Sequence, residues 1–205
     1  MRLPFTKSSI RRSKHNGLLV VNELGEVFAY GAKQTSMRYG LMWGDALARA
    51  TPQTPVQSVL MLGLAGGGAL APIHQAYPQA RVVAVEYDPT MVEVAQELLK
   101  EAPFPFPQVL VADAHEALLT LQEQYDLILV DIFVGNKPSP LINTADFWAA
   151  VLARLAQGGS VLLNVAGDYT KILEAKKYFS YSASWQYGAN TFCVLSRLSK
   201  EALVR

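Results

Sequence analysis

A glycine-rich turn and an acidic residue 18 positions beyond it are the first features of this sequence that could do chemistry. The turn, GLAGGG at 63–68, follows the apolar run VLML at 59–62. Glycine lets a backbone turn tightly and approach a ligand where any Cβ would collide. Glu86 ends the next strand-like run, and its carboxylate can accept two ribose hydroxyl groups. This order predicts a nucleotide-binding βαβ unit.

Two further acids, Asp113 and Asp131, follow apolar runs at 109–112 and 125–130. If these runs are parallel strands of one sheet, their carboxyl ends meet at the edge where α/β sheets bind ligands. Either residue could instead be a helix N-cap or a turn former. From Leu127 onward the run before Asp131 is continuously apolar, as in strands buried on both faces. A carboxylate there can orient an attacking amine or accept its proton.

The elements that must position these residues alternate between strand and helix patterns, which predicts an α/β fold: an open, doubly wound, mostly parallel sheet with helices on both faces. Asp88-Pro89 is a helix start, and a second helix is predicted from about Thr144 to Ala156, ended by Gly158-Gly159. A strand is predicted at 160–166, and the sequence then ends in a closing antiparallel pair.

Before the sheet, residues 17–30 read as a β-hairpin and the segment up to Ala50 as a helix. The TPQTP segment contains two prolines and predicts a linker. We therefore expect a small cap at 1–50 and a Rossmann-like nucleotide-binding catalytic domain at 51–205.

Composition excludes several classes of protein. The chain has 205 residues, of which 51% are hydrophobic and 17% charged, so a disordered protein is excluded. A net charge of +1 and the absence of an apolar run of about 20 residues predict neither nucleic-acid nor membrane partners. Cys193 is the single cysteine, which excludes an intrachain disulfide and favours a cytoplasmic location. No spacing suggests a metal site.

With these residues in place, the chain resembles the spermidine synthase family, of which it is identified as a shortened, divergent member. The resemblance runs from roughly Gly17 to Ala166 and rests on VLMLGLAGGG, VVAVEYDPTMVEVA, VLVADAHEAL and YDLILVD. It implies a seven-stranded, Rossmann-like methyltransferase fold. It also implies that S-adenosylmethionine or its decarboxylated form is the co-substrate, without a metal, and that a small-molecule amine is the acceptor. A homodimer is compatible with this pattern.

The resemblance also implies roles for individual residues in binding the donor. In that family the glycine turn approaches the amino-acid-derived part of the donor, and the acid matching Glu86 holds the ribose. The Asp-Ala pair matching Asp113-Ala114 recognises adenine, and a glutamine before the sheet matches Gln34. The predicted donor-binding residues are Gln34, Gly63, Ala65, Gly67, Glu86, Asp113 and Ala114.

The acceptor half of the family's site is matched less well. The catalytic aspartate falls on Asp131, and Trp43 falls where most members have a tyrosine lining the amine channel. Gly66 and Val134 occupy positions where spermidine-forming members usually carry aspartates. We therefore expect a poor spermidine synthase, with Trp43 and Val134 lining the acceptor site.

Several functions fit these residues. The first is a transferase that moves an alkyl group from a sulfonium donor to an amine; the family favours aminopropyl transfer, and the lost acids favour methyl transfer. A non-catalytic nucleotide-binding module would also explain the missing acids. An NAD-linked oxidoreductase would need a substrate domain and a catalytic His or Tyr, yet His74 and His115 fall on predicted helices.

Overall fold

The structure, a computed structural model, describes residues 9–12, 18–21, 27–30, 34–50, 55–135, 137–167, 170–188 and 190–197. Its strands are β1 Ser9–Arg12, β2 Leu18–Val21, β3 Val27–Tyr30, β4 Ser58–Leu62, β5 Arg81–Glu86, β6 Gln108–Val111, β7 Tyr125–Val130, β8 Phe133–Val134, β9 Lys137–Pro138, β10 Leu155–Asn164, β11 Tyr181–Tyr187 and β12 Asn190–Ser196. Its α-helices are α1 Gln34–Arg49, α2 Leu70–Ala76, α3 Pro89–Leu99, α4 Ala114–Thr120, α5 Ala145–Arg154 and α6 Thr170–Ala175, and a 3-10 helix spans Pro140–Asn143.

The main sheet has seven strands in the order β11-β12-β10-β7-β4-β5-β6. Strands β4, β5, β6, β7 and β10 pair in parallel, whereas β12 is antiparallel to both of its neighbours. The predicted open, mostly parallel sheet is therefore confirmed. From β4 the chain builds outward through β5 and β6 and then returns to place β7 on the other side. The crevice between the ends of β4 and β7 is thus the topological switch point.

The two faces of the sheet bury separate hydrophobic clusters. Phe147 and Trp148 of α5 pack on one face. Trp43 of α1 and Ile73 of α2 pack on the other. Successive residues of β7 alternate between the two clusters, as the period of a strand requires. Each fully buried large apolar side chain contributes about 1.5–3 kcal/mol to the free energy of folding. The helices packed on both faces therefore hold the central strands, whose ends form the switch point, in fixed positions.

The N-terminal segment contains the predicted hairpin and one more strand. Strands β2 and β3 pair antiparallel, with Val21 opposite Val27, and β1 adds a third strand on the far side of β2. Helix α1 then runs to Arg49, one residue short of the predicted end. The predicted linker falls largely outside the described residues, and the domain boundary at 50/51 stays a prediction.

Helix α5 is shorter than its sequence pattern predicts. It ends at Arg154 instead of near Ala156, because Leu155 is already extended and pairs with Tyr125 at the start of β7. The register of β10 then shifts before Ser160. A Cβ on Gly159 would lie 2.9 Å from the carbonyl oxygen of Asp126. The two glycines therefore allow the irregular start of β10 to lie against β7, and the predicted role as a helix stop was wrong.

Cys193 lies inside the sheet, on β12. Its side chain is fully buried, and burial raises the pKa of the thiol to about 12. The thiol is therefore protonated near neutral pH, which excludes it as a nucleophile. Among the helices in the described ranges, none combines the length and the apolar character needed to cross a bilayer.

Candidate functional site

The glycine turn and Asp131 meet directly at the switch point. Gly63 has φ +93°, and a Cβ built on it would overlap the carbonyl oxygen of Asp131 and lie 2.9 Å from the carbonyl carbon. The Asp131 amide donates to the Leu62 carbonyl oxygen at 2.9 Å, so the ladder between β4 and β7 continues into the turn. Glycine is thus required at 63 both for its backbone conformation and for this close approach.

We predict that Gly63→Ala lowers the free energy of unfolding by about 3–5 kcal/mol, because it adds backbone strain to a clash with main-chain atoms. Gly188→Ala is the matched control, since Gly188 also has a positive φ, +59°, but a Cβ added there would meet nothing within 4 Å. That control should cost only about 1–2 kcal/mol. Urea denaturation of both variants measures the difference; equal losses would show that the contact with Asp131 does not constrain residue 63.

Glu86, at the end of β5, folds back onto the same turn. Its Oε2 accepts from the amides of Leu64 and Ala65, each at 2.9 Å, and its Oε1 accepts from the Asp88 amide at 3.0 Å. Two successive amides converge on one oxygen while Ala65 takes a positive φ of 46°. A carboxylate offers about four lone-pair positions, and these bonds use three. Glu86 therefore shapes the turn and retains capacity for a ligand hydroxyl group.

Asp88 and Asp113 cap the helices that follow β5 and β6. Asp88 accepts from the Thr90 amide at 2.9 Å, as expected for the predicted helix start. Asp113 accepts from the amides of His115 and Glu116 at 2.8 and 3.2 Å, both through Oδ1. The N-cap considered for Asp113 from the sequence is therefore present, and Ala114 is the buried first residue of α4. A role for this pair in adenine binding stays a prediction.

Asp131 has a side-chain partner that sequence analysis missed. Asn164, the last residue of β10 and only 1% exposed, donates from Nδ2 to Asp131 Oδ1 at 3.0 Å. The Asn164 Oδ1 accepts from the Ala166 amide at 3.2 Å. The signal was available, because Asn164 is the one polar residue in the apolar run 161–166 and stands where that strand ends.

The remaining predicted acceptor residues lie in different settings. Trp43 is fully buried and packs edge-on against Phe192, with ring centroids 5.1 Å apart. Phe192 is the cross-strand partner of Asn164, so Trp43 packs against the neighbour of the residue that contacts Asp131. Val134 is 44% exposed on the β8–β9 hairpin, opposite Lys137. Gln34 is the first residue of α1, and its side chain lies outside the described part of the chain.

The carboxyl edge of the sheet therefore carries four carboxylates, Glu86, Asp88, Asp113 and Asp131, on β5, β6 and β7 or just beyond them. This concentration of negative charge suits a cationic ligand, such as a sulfonium or an ammonium group, better than a polyphosphate. Within the described ranges, no three His, Cys, Asp or Glu side chains are grouped so that they could hold a metal ion.

Comparison with known proteins gives this geometry a context. Residues 59–159 match the family model described as a methyltransferase domain. The chain is 32% identical to malonyl-(acyl-carrier protein) O-methyltransferase from Anoxybacillus flavithermus, over 64% of this chain and 47% of that protein. It is 51% identical to the eEF1A lysine and N-terminal methyltransferase homolog of Drosophila pseudoobscura pseudoobscura, over 34% of this chain and 10% of that protein. Other curated relatives are two polyamine aminopropyltransferases and one probable polyamine aminopropyl transferase.

The similarity to one solved structure extends over almost the whole chain. Spermidine synthase in complex with the transition-state analogue AdoDATO superimposes with a TM-score of 0.71 at 14% identity, over 97% of this chain and 72% of that one. At this level of identity the likeness shows the fold alone. The chain spans less than half the length of the two methyltransferase relatives.

Proposed function

We propose that this chain, which carries a methyltransferase domain with the S-adenosylmethionine-dependent methyltransferase fold, transfers a methyl group from S-adenosylmethionine to an amine nitrogen. One observation carries the proposal: the turn expected to bind the donor abuts Asp131, so close that a Cβ on Gly63 would overlap the Asp131 carbonyl oxygen. A donor held by the turn and an amine held by Asp131 would therefore meet at the switch point.

The residues around the turn fit the proposed donor. Glu86 keeps one acceptor position beyond its three backbone hydrogen bonds, which serves one ribose hydroxyl group rather than the two expected from the sequence. Asp113 uses Oδ1 for both of its capping bonds. Gly66 offers no negative charge, so a donor that keeps its own carboxylate is not repelled there. Gln34, Gly63, Ala65, Gly67 and Ala114 complete the proposed donor site.

The proposed reaction is an in-line displacement. The lone pair of the amine attacks the methyl carbon of the sulfonium, the carbon–sulfur bond breaks, and its electron pair stays on sulfur. The product amine loses one proton. Asp131 would orient the amine through a hydrogen bond and accept that proton. Most of the acceleration would come from holding both substrates in line.

Aminopropyl transfer from decarboxylated S-adenosylmethionine to an amine is the second candidate. The curated polyamine aminopropyltransferases among the relatives support it, and one of them matches 66% of this chain. The chemistry is the same displacement at a different carbon of the sulfonium. The missing acids at Gly66 and Val134 weigh against it, because the decarboxylated donor and a diamine acceptor both present ammonium groups that need partners when desolvated.

Binding of the donor can be measured without knowing the acceptor. We predict that an adenosyl-sulfur nucleotide at about 100 times its dissociation constant stabilises the fold by roughly 2.7 kcal/mol. Glu86→Gln should remove most of this stabilisation, because the substitution replaces a carboxylate oxygen with an amide donor. Thermal unfolding with S-adenosylmethionine, its decarboxylated form, methylthioadenosine or NAD gives the measurement.

Each variant is compared with its own ligand-free stability, because Glu86 also supports the turn. Glu93→Gln on the exposed side of α3 is the matched control and should respond to ligand like the wild type. Stabilisation by NAD and by none of the adenosyl-sulfur compounds would contradict the proposal. Binding of S-adenosylmethionine without methylation of any primary or secondary amine would favour a non-catalytic module.

A further inference from the structure

We infer that Asn164 is a positioning residue that fixes the carboxylate of Asp131 towards the acceptor amine. The inference rests on the proposed function, because it assigns Asn164 a role in the same reaction. Neither the family match nor the relatives assign a role to this residue. It is carried by the hydrogen bond from Asn164 Nδ2 to Asp131 Oδ1, at 3.0 Å, between two adjacent strand ends.

The orientation of the Asn164 amide follows from its two neighbours. The Ala166 amide can only donate, and it points at the Asn164 side-chain oxygen at 3.2 Å. The NH₂ group must therefore face Asp131, where it meets a carboxylate oxygen. Only this orientation of the side-chain amide satisfies both contacts, because a carboxylate accepts and a backbone N–H donates. Asn164 is thus locked between β7 and the bend that follows β10.

The surroundings of Asn164 make this bond costly to break. Leu163 and Val165 on either side are fully buried, and Asn164 is 1% exposed. Leu163 pairs with Val130 in the parallel ladder, so the next position along places Asn164 across from Asp131. On its other side Asn164 pairs with Phe192, whose ring packs against the ring of Trp43. A buried amide left without a partner is destabilising, so burial favours the conformation in which Asn164 keeps its hydrogen bond to Asp131.

The consequence for Asp131 is that both its backbone and its carboxylate are held. The backbone amide is tied to the Leu62 carbonyl oxygen of β4, and Oδ1 is tied to Asn164 of β10. Asp131 is thereby fixed relative to β4, which leads into the donor turn, and relative to β10 on its other side. Displacement reactions depend on such alignment, and a shift of about 1 Å can lower the rate by about 100-fold.

Exchanging the two side chains tests the pair independently of catalysis. Asn164→Asp alone places two carboxylates in contact, so we expect the fold to lose stability as pH rises and both groups ionise. Asp131→Asn combined with Asn164→Asp restores one amide and one carboxylate in reversed positions. We expect this double variant to recover the stability of the wild type and to lose the additional pH dependence of Asn164→Asp. Methyl transfer should remain lost, because the carboxylate is then on β10.

The catalytic part of the inference is tested by Asn164→Ala. We expect turnover to fall by about 10- to 100-fold with unchanged affinity for S-adenosylmethionine, because the acid remains but is no longer aligned. Thr191→Val is the matched control: Thr191 is fully buried at the same edge, on the far side of β10, and its hydroxyl group has no hydrogen-bond partner among the described residues. This control should keep full turnover.

Three results would overturn the inference. A double variant that stays as unstable as Asn164→Asp would show that the two side chains are not coupled. Full turnover in Asn164→Ala would show that the bond is structural. A wild-type protein that transfers no methyl group, while the double variant still recovers stability, would overturn the proposed function and with it the role towards the acceptor, leaving the pair intact.

Discussion

Asp131→Asn is expected to lower methyl transfer by about 10²- to 10⁴-fold while the affinity for S-adenosylmethionine stays within a few-fold. The substitution keeps the shape of the side chain, and its amide oxygen can still accept from Asn164 Nδ2. What it removes is the negative charge that orients an ammonium or amine group and the base that accepts its proton. Single-turnover experiments measure the rate of methyl transfer, and calorimetric titration measures the affinity for S-adenosylmethionine.

Asp126→Asn provides the matched control, because Asp126 lies in the same strand near its opposite end. Asp126 Oδ2 accepts from the amides of Gln57 and Ser58 and from the Ser58 hydroxyl group, at 2.9, 3.0 and 2.9 Å. The control should therefore lower stability and leave turnover per folded molecule unchanged. If Asp131→Asn behaves in the same way as this control, Asp131 is a structural partner of Asn164 and has no role in the reaction.

The parts of this fold that depend on short segments could be predicted from the sequence. The apolar runs that became β4, β5 and β7 are short and bounded by their own turn residues, so local composition was enough to locate them. Glu86 was predicted to hold a ribose, and the sequence placed it correctly at the end of β5. Its role in shaping the glycine turn could not be predicted, because the two backbone amides that donate to it lie 22 and 21 residues away in the sequence.

The features that were missed depend on contacts between distant segments. Gly63 was expected to allow a close approach of ligand, yet the atom it makes room for belongs to Asp131, on another strand. The end of α5 is set by the pairing of Leu155 with Tyr125 rather than by the glycines that follow it. Asn164 was passed over because its partner is 33 residues away. Local patterns locate elements, whereas side-chain roles at the switch point come from the strand order.

The acceptor side of the site has too few carboxylates to bind a diamine at both ends. Putrescine carries two ammonium groups, and each needs a partner when it leaves water. Asp131 can serve one end. Val134, at the position where spermidine-forming relatives are expected to have an aspartate, is an exposed valine. Trp43 is fully buried against Phe192, so its ring face does not offer a cation–π surface to a substrate.

We therefore expect kcat/KM for putrescine with decarboxylated S-adenosylmethionine to lie well below about 10⁴ M⁻¹s⁻¹, the ordinary range for enzymes. Each charge-assisted hydrogen bond that is lost costs about 1.5–3 kcal/mol, so the two missing acids amount to roughly two to four decades. Val134→Asp should recover about one to two of them, because the hairpin position is exposed and tolerates a charge. Val134→Asn, of the same size but neutral, should not. Efficient turnover of putrescine by the wild type would mean that a carboxylate from elsewhere serves the second ammonium, and the preference for methyl over aminopropyl transfer would then be wrong.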